Sequence, residues 1–170
     1  TGMPTSPSQG DMMMARWGTH GDHPVIAISP SSVKETYDLT IRAYNLSEKF
    51  RTPVLFMMDE IVGHLREGVE LPKKEDIVVI DRPTVKYPDA KRLPYHMKKG
   101  QLVPEMAPFG MGQRYNITGL IHDESGFPTN SREEAEKMMS RLMRKISDNY
   151  DFIKDIVIEN LEDAEIAVFC

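Results

Sequence analysis

One cysteine, Cys170, in 170 residues excludes an internal disulfide and any site built from several thiolates. A reducing, cytoplasmic setting fits that scarcity. No apolar run approaches the roughly 18 residues of a membrane span, and the first residues show no basic stretch followed by an apolar one, so neither a spanning helix nor a secretory leader is expected. Clustered positive charge is missing too. The net charge is −5, and the short runs Lys91-Arg92 and Lys98-Lys99 read as solvated surface, which argues against a nucleic-acid face. No Gly-x-Ser-x-Gly elbow marks a serine nucleophile, and Gly110-Met111-Gly112 lacks the flanking strand and helix of a phosphate loop. What remains is 40% apolar and 28% charged, the composition of one ordinary globular domain or of a domain plus a fragment.

The elements that can be placed are those of an α/β protein. Val25 to Ile28 is an apolar run between Pro24 and Pro30 and reads as a strand buried on both faces. Ser32-Val33-Lys34-Glu35 has the form of a capping box, so a helix is expected from there to about Phe50. Its main stripe is read as Val33, Tyr37, Ile41 and Tyr44, widened by Leu39, Ala43, Leu46 and Phe50. Pro53 stops that helix, and Val54 to Met58 follows as a second apolar strand. Strand, helix and strand in this order predict a right-handed parallel crossover, with ligands gathering beyond the carboxyl ends near Ser29-Pro30 and Asp59-Glu60. Six prolines between Gly68 and Gly112 mark a connecting arm containing one strand-like run, Ile77 to Ile80. Tyr115 to Leu120 reads as a weak strand. Ser131-Arg132-Glu133-Glu134 opens a helix carrying Met138, Leu142, Ile146 and Tyr150 and ending near Ile153. Residues 156–159 look extended, and Ala164 to Cys170 reads as a final strand.

Polar chemistry is concentrated in the first two dozen residues. The hydroxyls of Thr1, Thr5, Ser6 and Ser8 and the amide of Gln9 suit the holding of a carboxylate or keto group more than nucleophilic attack. His20-Gly21-Asp22-His23 sets two imidazoles and a carboxylate within four residues. Three readings stay open: a loop anchor, an active-site lining, and a metal site of the kind a small hydrolase would use. Arg16 and Trp17 end a short helix opened by Ser8 or Asp11, with Trp17 expected against the core rather than a planar ligand. The methionines at 138, 139 and 143 are read as core filler rather than as a soft-metal site.

Taken together, Thr1-Gly2-Met3-Pro4-Thr5, Gln9-Gly10-Asp11, Arg16 to Pro24, Tyr44 to Val54 and Thr118 to Thr129 resemble the alpha subunit of a 2-oxoacid:ferredoxin oxidoreductase, of the 2-oxoglutarate type. The resemblance implies a multi-subunit, cytoplasmic enzyme that decarboxylates a 2-oxoacid on thiamine diphosphate, passes the acyl unit to coenzyme A and reduces ferredoxin through iron–sulfur clusters. It implies that the diphosphate, its magnesium and the cluster are held by a beta subunit, with gamma and delta subunits as further partners. Residues 1–65 would be the second half of a pyrimidine-type thiamine-binding domain, 66–113 the arm, 114–160 a strand, loop and helix linker, and 161–170 the first strand of a transketolase C-terminal-like domain. In that alignment Thr5 and Thr1 line the substrate pocket, and the carboxylate-binding arginine lies upstream of Thr1. His20, Asp22 and His23 become candidates for the active-site lining. The chain would then be a central segment, inactive alone. The alternative is a non-catalytic interaction or scaffold subunit, or a degenerate homologue, whose arm wraps a neighbour.

Overall fold

The computed structural model describes residues 6, 8, 10–86 and 91–168. Helix α1 (Gly10–Trp17) leads through a loop into strand β1 (Ile26–Ile28), helix α2 (Val33–Phe50) and strand β2 (Val54–Phe56), followed by the short helix α3 (Glu60–His64). The two strands pair in parallel, with Ile26 opposite Val54 and Ile28 opposite Phe56. The expected crossover is present, and its two carboxyl ends lie side by side. Met57 donates its amide to the Ile28 carbonyl at 2.8 Å, which carries the pairing one residue further.

Side-chain packing departs from the expectation at two points. Ile26 and Ile28 are buried, but Ala27 between them is exposed, so one face of β1 is covered and the other is open. Helix α2 meets the strands through Leu46 and Phe50, both 2% exposed, with Leu39 and Ala43 packed beside them. The spacing 39, 43, 46, 50 makes that stripe the core face. The stripe ending at Tyr44 points elsewhere, and Tyr44 is 71% exposed. One helix cannot turn both stripes to a two-stranded sheet.

Capping explains where α2 starts and stops. Ser32 Oγ accepts from the Glu35 amide at 3.1 Å, as the capping box requires. The Glu35 carboxylate reaches Ser31 rather than Ser32, taking its amide and its hydroxyl at 2.8 Å each. At the other end Arg51 adopts the left-handed conformation (φ 47°, ψ 51°). A side chain there costs about 1 kcal/mol, and Arg51 offsets it by donating to the Pro104 carbonyl at 2.7 Å.

The arm folds back on α2. Residues 77–80 form no strand. Their backbone groups go instead to one side chain, with Asn45 Nδ2 donating to the Val78 carbonyl and Asn45 Oδ1 accepting from the Ile80 amide, both at 2.8 Å. Arg82 pairs with Glu48 through two guanidinium nitrogens, and an isolated bridge joins Thr84 to Met106. Residues 115–120 are likewise not a strand. The regular feature nearby is a tight turn in which His122 bridges Pro128, and Gly126 (φ +86°) sits so close to Asn116 that a Cβ would meet its carbonyl oxygen at 2.2 Å.

Helix α4 (Arg132–Ser147) begins at Ser131 as expected, with Ser131 Oγ accepting from the Glu134 amide at 3.4 Å. It breaks at Asp148-Asn149, where Asn149 Nδ2 turns back to the Lys145 carbonyl at 3.0 Å, and resumes as α5 (Tyr150–Ile153). That break removes Tyr150 from the stripe of Met138, Leu142 and Ile146, and it is 54% exposed. Residues 156–159 are unpaired, and 164–168 form no strand, with Ile166 and Val168 more than 80% exposed. A strand needs a partner for its backbone groups, and none of the described residues supplies one there.

Candidate functional site

The turn from β1 into α2 is where an α/β unit of this kind would present backbone amides to an anion. Here the chain fills that position itself. The Ser31 amide goes to Glu35, and the Val33 amide goes to the Glu67 carboxylate at 3.2 Å. The two bonds from Ser31 hold the Glu35 carboxyl below the usual carboxylate range. The Ser31 and Val33 amides at this turn are thus engaged by the chain's own carboxylates. Beyond β2, Asp59 leads into α3 without using its side chain as a cap, and both Asp59 and Glu60 are exposed beside the strand ends.

Thr1 and Thr5 lie outside the described residues. His20 and Asp22 are exposed, and neither belongs to a group of three His, Cys, Asp or Glu side chains able to hold a metal, because the described residues contain no such group. His23 differs from its neighbours: it is half-buried, and its Nε2 is shielded without a hydrogen-bond partner. It stands just before the amino end of β1, whereas Ser29 and Asp59 follow the carboxyl ends. Trp17 is 65% exposed, with the Arg16 guanidinium 5.5 Å from its ring, so the expected core packing is overturned. Met12, Met13 and Met14 are exposed along with it, and α1 buries Ala15 alone.

A basic cluster that the sequence reading passed over sits between the end of α2, the arm and α4. Lys145 is 5% exposed, and its Nζ has one weak bond, 3.4 Å to the Arg51 carbonyl. Burial, with Arg141 and Arg51 adding repulsion, pushes its pKa down to about 8. Burial acts on Arg51 and Arg141 in the same direction. Arg51 also lines a cavity of about 20 Å³, room for one water, alongside Arg92, Tyr95 and Tyr115, and the Tyr115 hydroxyl is buried and unpartnered. The sequence does hold one sign of this: Lys145 follows Met138 by seven positions and Leu142 by three, which places a cation on the apolar stripe.

A parallel strand–helix–strand crossover defines the class: part of an α/β domain. Residues 1–141 match the family described as pyruvate flavodoxin/ferredoxin oxidoreductase, thiamine diphosphate-binding, and the chain belongs to that family. Among its relatives, the 2-oxoglutarate synthase subunit KorA of Methanocaldococcus jannaschii is 51% identical over 172 residues, covering 100% of this chain and 45% of the relative. The KorA subunit of Methanothermobacter thermautotrophicus is 48% identical over 169 residues, covering 99% of this chain and 44% of its own length. The chain thus spans less than half the length of these relatives. In structure it is similar to a 2-oxoglutarate:ferredoxin oxidoreductase from Magnetococcus marinus, seen with 2-oxoglutarate, coenzyme A and succinyl-CoA bound. The TM-score is 0.80 and the identity 30%, over 95% of this chain and 28% of the other. Among the described residues no helix is long and apolar enough to cross a membrane.

Proposed function

We propose that the chain is the substrate-pocket and subunit-interface segment of the alpha subunit of a 2-oxoglutarate:ferredoxin oxidoreductase. The protein to which it belongs would convert 2-oxoglutarate and coenzyme A to an acyl-CoA and carbon dioxide while reducing ferredoxin. The observation that carries the reading is identity of about half across the whole chain with two 2-oxoglutarate synthase alpha subunits.

In this reading the diphosphate, its magnesium and the iron–sulfur cluster are held by the beta subunit, as the resemblance of the sequence to the alpha subunits of such enzymes implies. No chemical step is routed through this chain's residues. Their part is to shape one wall of the pocket, with Thr5 and Thr1 donating to the 2-oxoacid and His20, Asp22 and His23 shaping the adjacent loop. Residues 66–113 act as the arm, and 161–170 pair as a strand only within a following transketolase-like domain. Gamma and delta subunits complete the assembly, which works in the cytoplasm.

Replacing Thr5 in the assembled alpha–beta complex tests this assignment. Thr5→Ala leaves one substrate hydrogen bond unmade, which costs about 1–2 kcal/mol, a fall of about 5- to 30-fold in kcat/KM for 2-oxoglutarate. An unchanged kcat/KM would remove Thr5 from the pocket.

A further inference from the structure

Lys145 is the one buried cation among the described residues, and its amine is a nucleophile that the proposed function does not use. It follows Arg141 by four positions on α4, which stacks the two side chains one turn apart on the same face. Its Nζ lies 3.4 Å from the Arg51 carbonyl oxygen, so α4 and the end of α2 meet at this side chain. Arg51 donates to the Pro104 carbonyl at 2.7 Å, Tyr95 faces both arginines, and no carboxylate among the described residues pairs with any of the three cations. Three desolvated positive charges without an anion are costly. The cluster is relieved if an anion enters it or if one of its members becomes an anion.

Entry is closed to a hydrated ion at Lys145, which is 5% exposed. Conversion is open, because burial and the repulsion of Arg141 and Arg51 ease the proton off the amine. With its pKa at about 8, about a quarter of these side chains are neutral at pH 7.5, against about one in a thousand for an ordinary lysine. A neutral amine in a dry site selects a small uncharged electrophile. Carbon dioxide is one, and the cleft lined by Arg141 and Arg144 opens beside Lys145 on the same helix.

We propose that Lys145 is a carbamylation site, where the amine reversibly takes up carbon dioxide and the carbamate is held by the guanidinium groups of Arg141 and Arg51. The amine lone pair forms the N–C bond, one C=O electron pair moves onto oxygen, and the nitrogen releases its proton to water. Lysine at +1 becomes a carbamate at −1, so the charge of the three side chains falls from +3 to +1. A carboxylate between two guanidinium groups makes the strong, charge-assisted kind of hydrogen bond, and here it would join α4 to the end of α2. Dissolved carbon dioxide in equilibrium with bicarbonate is the reactant, so the site stands independently of the 2-oxoacid assignment.

The test is carbon-13 NMR of the assembled complex of the full-length protein, equilibrated with labelled bicarbonate near pH 7.5 with no 2-oxoacid present. Beside the carbamates of chain-terminal amines, a resonance absent from Lys145→Met should appear and rise saturably with dissolved carbon dioxide. Trapping with a trialkyloxonium salt before digestion should place the label on Lys145 about tenfold or more above the exposed Lys98 and Lys99. Arg141→Gln should raise the carbon dioxide concentration for half-occupancy about tenfold. Identical spectra for the unaltered complex and Lys145→Met, or an unchanged half-occupancy in Arg141→Gln, would overturn the proposal. Should Arg141→Gln fail to assemble, melting decides: carbon dioxide should raise the Tm of the unaltered complex more than that of Lys145→Met, and an equal rise in both overturns the site.

Discussion

Replacing Lys145 by methionine should stabilise the protein at neutral pH. The side chain is 5% exposed, its one hydrogen bond is long, and its charged neighbours are Arg141 and Arg51. Burial moves its pKa from the ordinary 10.5 to about 8. At about 1.4 kcal/mol per pH unit the full drop is worth about 3 kcal/mol, and residual contact of the ammonium with water screens it to about 2 kcal/mol. Below pH 8 the native and unfolded chains both hold the proton, and the native state bears that cost. Between pH 8 and 10.5 the unfolded lysine still binds a proton that the native one has released, so stability rises with pH across that window. Methionine of similar length removes the charge and keeps the packing. Urea unfolding of the full-length protein at pH 7 should therefore show Lys145→Met more stable by about 1–2 kcal/mol, an advantage that fades toward pH 10. A loss of stability at pH 7, or an unaltered rise between pH 8 and 10 in the variant, would refute the claim that the lysine is buried against like charge.

Three further perturbations test the architecture. Leu46→Ala opens the centre of the small core and should cost about 2–4 kcal/mol in the same unfolding assay. Asn45→Ala removes both bonds to residues 77–80, and faster trypsin cleavage after Lys73 or Lys74 should report the released segment while α2 stays protected. Gly126→Ala places a methyl at 2.2 Å from the Asn116 carbonyl at a positive φ, and it should lower stability by about 2 kcal/mol or more, whereas Gly119→Ala, with open space around it, should be near neutral.

Periodicity and capping made the β1–α2–β2 unit readable because local signals and tertiary packing agree there. Ser32 and Ser131 cap the helices they precede, and Pro53 separates α2 from β2. The readings that failed needed a partner that sequence patterns do not encode. Ile77 to Ile80 has the composition of a strand, but its backbone is satisfied by the amide of Asn45, 33 and 35 positions away. Residues 164–168 also look like a strand and find no ladder among the described residues. The two stripes of α2 carried similar apolar weight, and contact with β1 and β2 chose between them. At the candidate site, the polar loop at 20–23 stood out by composition and His23 Nε2 there lacks a partner, but the unpartnered His122 Nε2 and Tyr115 hydroxyl and the buried Lys145 lie elsewhere. Only in three dimensions does Arg141 lack a carboxylate or His122 lose its second partner.

We propose that this chain works within a 2-oxoglutarate-oxidising enzyme. Its most direct test is ferredoxin reduction by the assembled complex of the full-length protein, measured with and without 2-oxoglutarate and coenzyme A. Reduction should require both compounds and release one carbon dioxide per 2-oxoglutarate consumed. A fully assembled, thiamine diphosphate-loaded complex that reduces no ferredoxin with 2-oxoglutarate would contradict it.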